Sequence, residues 1–457
     1  YGAGGWVDHT NMQMLQMLAM LVFVVDLGVS PAYLGVIFTF QRLWDSVSDP
    51  LMGHITDNFR SRWGRRRLFI LIGGIATAVF YSAIWMFPEG KTVVWYQVYL
   101  AVGAFLYMTA HTVFSVPYQA LGCEMTRDYH ERTSIMSYRT IIGHVGWLYA
   151  VWIYYIVNLG AERGIFGGVS EGLKYVTGTF GLLSIVIVIY CAVVTKERFY
   201  HQVTKEKGKV KFLEAFKNCL SNKPFLFLMG LNFFSMFTQI LVANLQSLLN
   251  IFYMAGAAKK TGALYSSIFG SVIMISSIIA IPIISKLSVK YGKKEVLIGC
   301  IALQLLGASS KWFFFNPDFP YLQNIVALLQ GPGMAGTLVL VGSMITDICD
   351  LDELKHGHRR EAMFVSIASW IVKIGMTTAV FLSGFLAVWI GYEAGADTQK
   401  ESVMITMKAC FAFMPALGAV VAIICIVKYP LNQKRVVEIG VALDERRAAR
   451  GDPNIRS

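Results

Sequence analysis

Long apolar runs alternate with short polar breaks along the chain, and the runs have membrane length. They lie near 6–28, 32–56, 68–88, 93–122, 134–158 and 173–195, then 224–252, 261–287, 295–314, 320–348, 361–393 and 403–429. A helix needs about 20 residues to cross the hydrocarbon core of a bilayer. The pattern therefore predicts an all-α membrane protein with twelve transmembrane helices in two groups of six. The widest polar break, 196–223, holds Lys196, Arg198, Lys205, Lys207, Lys209, Lys211 and Lys217, as a linker between two membrane halves does. The expected organisation is a six-helix bundle over 1–195, a cytoplasmic linker over 196–223, a second bundle over 224–430 and a cytoplasmic tail over 431–457.

The polar breaks also orient the chain. Arg60, Arg62, Arg65, Arg66 and Arg67 follow the second run, Arg127 and Arg132 the fourth, Lys290, Lys293 and Lys294 the eighth, and Lys355, Arg359 and Arg360 the tenth. The opposite breaks hold few basic residues, among them Lys91, Arg163, Lys174, Lys259, Lys260 and Lys400, and the break after the first run has Asp26 and no Lys or Arg. Positive charge stays on the cytoplasmic side, so both termini are expected there. An internal echo supports two related halves: Gly64-Arg65-Arg66-Arg67 and then Leu-Phe-Ile-Leu-Ile-Gly is answered by Gly292-Lys293-Lys294 and then Glu-Val-Leu-Ile-Gly. Duplicated carriers carry such repeats. Here the eighth run lacks the two acids of the second.

Composition narrows the classes further. Charged residues make up 15% and apolar ones 55% of the chain, against about 25% charged in an ordinary soluble protein. Mean hydropathy is +0.54. Such a chain cannot coat two or three soluble domains with polar skin, so disordered, collagenous, disulfide-rich and most soluble enzyme classes are excluded. The net charge of +12 lies in short clusters between apolar runs, which topology explains without nucleic acid. The seven cysteines are scattered with no CxxC, so no disulfide framework or metal knuckle is indicated. The chain opens on Tyr1 inside an apolar stretch, so no signal peptide is read and a short preceding tail is expected.

Polar residues inside apolar runs are functional by default. Asp45 and Asp49 in the second run are one helical turn apart on the same face. Two carboxylates about 6 Å apart at an effective dielectric near 20 repel by about 3 kcal/mol, so one takes a proton or the two share a cation. Pro50 cannot donate to the Ser46 carbonyl, which leaves a hard oxygen ligand nearby. The competing reading pairs one acid with Arg42 near the helix end. In the fourth run, Pro117 frees the Val113 carbonyl and Thr112 offers a further cation ligand, against simple back-bonding to its own helix. Arg139 and Lys373 stand in apolar runs and need anions. The first run supplies Asp8 and, on another face, His9, Gln13 and Gln16, a stripe of the kind that lines a cavity.

Other patterns are decoys. Gly331-Pro332-Gly333-Met334-Ala335-Gly336 fits GxGxxG, yet it follows no strand and contains a proline, so it reads as a closely packed or flexing helix. There is no Walker A, HExxH or GxSxG motif. The chain is therefore not expected to be an enzyme or an ATP-driven pump.

The segment from Arg42 to Gly53, Arg-Leu-Trp-Asp-Ser-Val-Ser-Asp-Pro-Leu-Met-Gly, followed by Arg60-Ser61-Arg62-Trp63-Gly64, resembles the glycoside-pentoside-hexuronide:cation symporters, the melibiose-permease family of the major facilitator superfamily. Asp347-Ile348-Cys349-Asp350, Asp352-Glu353, Lys355, Gly357, Arg359 and Glu361, leading to Lys373, resembles that family's signature between the tenth and eleventh spans. The resemblance implies the major facilitator fold and a cation site at Asp45, Asp49 and Thr112, with Na+ as coupling ion and H+ or Li+ as alternatives and no cofactor. It also maps the family's arginine and lysine to Arg139 and Lys373. Two acids that hold sugar hydroxyls in melibiose carriers fall on Ser115 and His9, an aromatic falls on Gln119, and a tryptophan on Leu338. The galactoside site is thus not reproduced.

From these departures the substrate site is expected at Asp8, His9, His111, Ser115, Gln119, Arg139 and Lys373. Two retained cations with few acids left around them favour a sugar or glycoside with an acidic group; a neutral glycoside held through Asp8 and a lysophospholipid-like amphiphile are the alternatives. A substrate-sensing membrane receptor is the alternative from another class. The loop with Asp57, Arg62, Gly64 and Arg65 resembles the superfamily's cytoplasmic gate, against simple positive-inside anchoring. The expected partners are a small-molecule substrate and membrane lipids, with no nucleic acid, around a monomer in a plasma membrane, which in a bacterium is the inner membrane.

Overall fold

The computed structural model describes residues 1–59, 61, 64–125, 129–195, 222–356 and 361–449. Among them the chain is helical throughout, with no strand. The long helices are α1 (Gly5–Ala19), α2 (Pro31–Asn58), α3 (Arg67–Ile84), α4 (Val93–Glu124), α5 (Tyr129–Glu162), α6 (Val169–Val194), α7 (Lys223–Leu248), α8 (Lys259–Tyr291), α9 (Lys293–Phe314), α10 (Gln323–His356), α11 (Glu361–Ile390), α12 (Glu401–Lys428) and α13 (Gln433–Ala449). One helix answers each of the twelve predicted apolar runs. Ten helical stretches are long and apolar enough to cross a membrane on that basis alone. α2 falls short because Arg42, Asp45, Asp49 and Asp57 dilute its apolar residues. α1 continues through a π-helical turn over Met20–Asp26, and its apolar part is the shorter stretch Met14–Asp26.

The chain divides into two compact units. One comprises Tyr1–Lys207, Asn244–Gly270 and Val380–Met404, the other Gly208–Ala243, Ser271–Ala379 and Ile405–Ser457. The expected linker lies almost wholly outside the described residues.

Inside the first unit the core is aromatic. Tyr81, Trp85, Tyr107, Phe114, Tyr118 and Phe180 are almost fully buried, and their rings meet in stacked and edge-on pairs such as Tyr81 with Tyr107 at 6.1 Å. α3 lies directly on α4 at Gly73, where a Cβ would stand 2.6 Å from the Phe114 amide nitrogen. That approach fixes α4 just above Pro117. In the second unit the GxGxxG segment is a packed stretch of α10: a Cβ at Gly331 would lie 2.7 Å from the Ile273 carbonyl oxygen, and one at Gly333 2.7 Å from that of Cys300. These glycines let α10 touch α8 and α9, and no nucleotide loop forms.

The internal echo has a structural counterpart. Gly64 and Gly292 both hold positive φ, 100° and 98°, a conformation that favours glycine. Just beyond Gly64, Arg67 donates to the Ala192 and Val193 carbonyls at 2.7 and 2.8 Å, at the end of α6. Just beyond Gly292, Lys294 donates to the Val427 and Tyr429 carbonyls at 3.1 and 2.7 Å, at the end of α12. In each half a basic side chain thus caps the sixth helix, where orphan carbonyls and the negative end of the helix dipole gather. The tail is more than a polar extension: α13 buries Ile439 and Leu443 in the second unit's core, and Arg446 donates to the Leu354 carbonyl at 3.0 Å. Burial, with Asp347 close by, pushes the Tyr429 phenol up.

The contact at Gly73 is testable. Gly73→Ala should lower the melting temperature of the purified protein through a loss of about 1–3 kcal/mol from overpacking. Gly178→Ala, where nothing lies within 4 Å of the added Cβ, should leave it unchanged or slightly raised.

Candidate functional site

α2 and α4 build the candidate cation site. Trp44 Nε1 donates to Thr109 Oγ1 at 3.1 Å, and the Ser48 and Thr112 hydroxyls meet at 3.1 Å in a buried contact. These bonds fix the rotation of α2 on α4 and leave Asp45 and Asp49, half-buried, on the adjoining face of α2. Thr112 therefore bonds across to α2 through Ser48, a residue that sequence reasoning passed over although it lies between the two acids. Pro50 and Pro117 both stand inside their helices, so the carbonyls of Ser46 and Val113 lack their usual helical donors. Arg42 stands three residues before Asp45 on the same helix. No group of three or more His, Cys, Asp or Glu that could hold a metal occurs among the described residues. Two carboxylates with hydroxyl and carbonyl oxygens suit a hard cation such as Na+, or a proton, rather than a transition metal.

The expected substrate residues gather in part. Asp8 on α1 forms an ion pair with Arg139 on α5, and Gln119 Nε2 on α4 donates to Asp8 Oδ1 at 3.5 Å. The Asp8 side chain is only 4% exposed. The Arg139 guanidinium also lies over the Tyr118 ring, 5.5 Å from its centroid, and Tyr118 stacks on Tyr1 and Phe114 at 4.6 and 5.3 Å. Tyr118 was missed from the sequence; its only signal was its place directly after Pro117. His111 and Ser115 are buried two turns and one turn before Gln119 on α4. The His111 ring lies 5.9 Å from that of Tyr107, and neither of its nitrogens has a hydrogen bond among the described residues. Lys373 is an exposed residue of α11 in the second unit.

The remaining residues are less defined. His9 and Asp57 lie on α1 and α2, but their side chains fall outside the description, and Arg62 lies outside the described residues. At the expected gate, Ser61 Oγ donates to the Gly64 carbonyl at 2.5 Å, Gly64 takes its positive φ, and Arg65 is half-buried. In the second signature, Asp347 on α10 is held by Lys293 on α9 at 2.7 Å, whereas Gly357 and Arg359 lie outside the described residues.

Residues 3–433 match the family described as MFS/sugar transport protein, and the chain belongs to that family: it is a membrane transporter and not an enzyme. It is 25% identical to the putative glycoside/cation symporter YagG of Escherichia coli (strain K12), over 99% of this chain and 95% of that protein. It is 23% identical to the sodium-dependent lysophosphatidylcholine symporter 1 of Xenopus tropicalis, over 91% of this chain and 83% of that protein. In fold it is similar to the solved D-xylose-proton symporter, with a TM-score of 0.63 and 13% identity over 95% of this chain and 97% of that one.

The expectation that Asp45 and Asp49 share an ion is testable in variants. Asp45→Asn and Asp49→Asn should each abolish uptake driven by a cation gradient while substrate binding survives, as equilibrium binding to purified protein would report. Wild-type accumulation by both variants would remove the two acids from the coupling site.

Proposed function

We propose that the chain is a secondary active transporter that couples inward movement of Na+ to uptake of a sugar or glycoside by alternating access. The observation that carries this reading is the separation of two polar sites within one helical unit: paired acids Asp45 and Asp49 on α2, and the Asp8, Gln119 and Arg139 cluster beside Tyr118. The first suits an ion. The second suits hydroxyls, since a carboxylate accepts from them, an amide and a guanidinium donate, and an aromatic face packs on a sugar ring. Relatives named as a glycoside/cation symporter and as a sodium-dependent symporter support sugar transport and Na+ respectively. At a membrane potential of 100 mV, one inward charge contributes about 2.3 kcal/mol, enough for about 50-fold accumulation.

The Asp8 and Arg139 pair changes the charge argument for the substrate. Asp8 supplies the counter-charge that Arg139 was expected to seek in an acidic ligand, so a neutral glycoside becomes the first choice. An acidic sugar is the second reading, favoured by Arg139 Nε, which is buried with no hydrogen bond among the described residues. The positive-inside pattern supports cytoplasmic termini, and the reading includes a monomer in a plasma membrane with Asp57, Arg62, Gly64 and Arg65 as its cytoplasmic gate.

Thermal shift of the purified protein with neutral glycosides, uronates, sulfonated sugars and lysophospholipids, each with and without Na+, separates these readings. A ligand at 100 times its Kd adds about 2.7 kcal/mol of stability, and the expected pattern is stabilisation by a glycoside that Na+ strengthens. Accumulation of that ligand in proteoliposomes under an imposed Na+ gradient should follow; binding without accumulation under Na+ or H+ gradients would make the protein a receptor. At the gate, Asp57→Ala should raise cysteine labelling from the cytoplasmic side, and unchanged labelling would favour positive-inside anchoring.

A further inference from the structure

In the second unit, α8, α9 and α10 line a groove of about 690 Å³, within the range of about 300–1,000 Å³ that small-molecule sites occupy. None of its residues belongs to either candidate site. α8 supplies Ile283, Ile284 and Leu287, α9 supplies Val296, Gly299 and Leu303, and Pro332 of α10 completes the lining. Ile284 and Cys300 are buried at its floor, whereas Ile283 and Leu287 are exposed at its rim. Gly299 keeps the space open, since a Cβ there would meet nothing within 4 Å. Among the described residues the lining has one hydroxyl and one carboxylate, on Tyr291 and Glu295, and both lie where α8 passes into α9. From Ala280 to Tyr291 the lining follows α8 for eleven residue steps, about 16 Å of helix. That is one leaflet of a hydrocarbon core about 30 Å thick.

The polar end of the groove carries positive charge. Lys290 Nζ lies 5.0 Å from the centre of the Tyr291 ring, which places an ammonium at the mouth. Lys286 stands one turn before it on α8, on the same side of the helix, and both lysines are exposed. Their neighbours are committed elsewhere: Lys293 holds Asp347 at 2.7 Å, and Lys294 donates to the Val427 and Tyr429 carbonyls. Lys286 and Lys290 form no ion pair among the described residues. Glu295 does not cancel them. It sits in the first turn of α9, folded back so that one of its carboxylate oxygens is 2.5 Å from the Cβ position of Gly292, and its charge answers the positive end of that helix.

We propose that this groove is a binding site for an anionic phospholipid, with one acyl chain between α8 and α9 and the phosphate on Lys290 and Lys286. Both helices are long and apolar enough to cross a membrane, so the exposed rim meets hydrocarbon. Water needs polar partners to stay in a cavity, and the depth of this one offers none, so its occupant is an apolar chain. The groove runs for one leaflet and ends at two lysines, which are the dimensions and the charge order of a phospholipid tail and head. The positive-inside pattern puts the break between α8 and α9 in the cytoplasm, where the leaflet is rich in anionic lipid. The site needs neither a substrate nor an ion gradient, so it stands or falls apart from the transport reading.

The full chain, purified in detergent and stripped of lipid, is titrated with phosphatidylglycerol and with phosphatidylcholine of the same chain length, and native mass spectrometry counts the lipids retained. The parent should hold phosphatidylglycerol more tightly than phosphatidylcholine. Lys290→Gln should weaken phosphatidylglycerol about fivefold, the effect of one lysine near an anionic surface, and leave phosphatidylcholine unchanged, while Lys290→Arg keeps the preference. Gly299→Leu fills the groove and should remove one retained lipid of either kind. Gly178→Leu, at another helix position open to an added Cβ, should remove none. Equal affinity of the parent for the two lipids, or a Gly299→Leu count equal to the parent's, would overturn the site. So would a dimer in detergent that Gly299→Leu dissociates, which would give the groove to a second copy of the chain. Gly299→Val, with a smaller side chain, decides the matter if Gly299→Leu does not fold.

Discussion

Hydrocarbon gives a polar group nothing to bond to, and the placement of charge in this chain follows from that constraint. Inside the apolar runs Asp8 meets Arg139; at the polar breaks Asp347 meets Lys293 at 2.7 Å and Asp26 meets Lys259 at 2.6 Å. Each pair joins different helices. A charge that must be answered inside a membrane bundle therefore becomes a tie between elements, and the helices take their places partly around these ties. Lys311 shows another solution: fully buried, it donates to the Phe411 carbonyl at 3.3 Å and lies 3.8 Å from the centre of the Phe411 ring. Oriented dipoles and an aromatic face do there what a carboxylate does elsewhere.

The two halves solve the same end-capping problem with different residues. Arg67 and Lys294 do not align in the repeated motif, yet each follows a positive-φ glycine and closes the last carbonyls of the sixth helix in its half. The first helix of each half also ends alike, α1 running into a π turn over Met20–Asp26 and α7 into one over Leu249–Met254. The geometry of the repeat has thus been kept where the side chains have changed. Only the first half adds acids to its second helix, so the candidate cation site lies on one side of an otherwise echoed frame.

Much of this was legible in the order of residues, because the bilayer imposes a length on apolar runs and a sign on polar breaks. All twelve runs became helices, with ends displaced by several residues where amphipathic turns extend them, as at Tyr129–Glu162 against 134–158. That Asp45 and Asp49 lie one turn apart on α2 follows from helical spacing alone. Ser48 and Tyr118 did not, since their roles depend on how α2 rotates on α4 and how Arg139 reaches α4 from α5, and spacing along one helix carries neither. The Asp8 and Arg139 pair was hidden for the same reason: 131 residues separate the partners, and one-dimensional charge counting gave Arg139 an unmet need that α1 in fact meets.

α2 links these features mechanically. It runs from Pro31 to Asn58, with Gly35 against Gly384 near its start, Asp45 and Asp49 in its middle, and the loop to Gly64 beyond its end. From Gly35 to Asp45 is ten residues, about 15 Å of helix, with no proline between to absorb a movement. On the proposed reading, a cation at Asp45 and Asp49 relieves their mutual repulsion on this one helix. The same continuous helix carries Gly35, whose backbone lies close to those of Phe381 and Gly384. An ion shifts a conformational equilibrium only by its differential affinity for the two arrangements, so the paired acids would have to hold it more tightly in one of them.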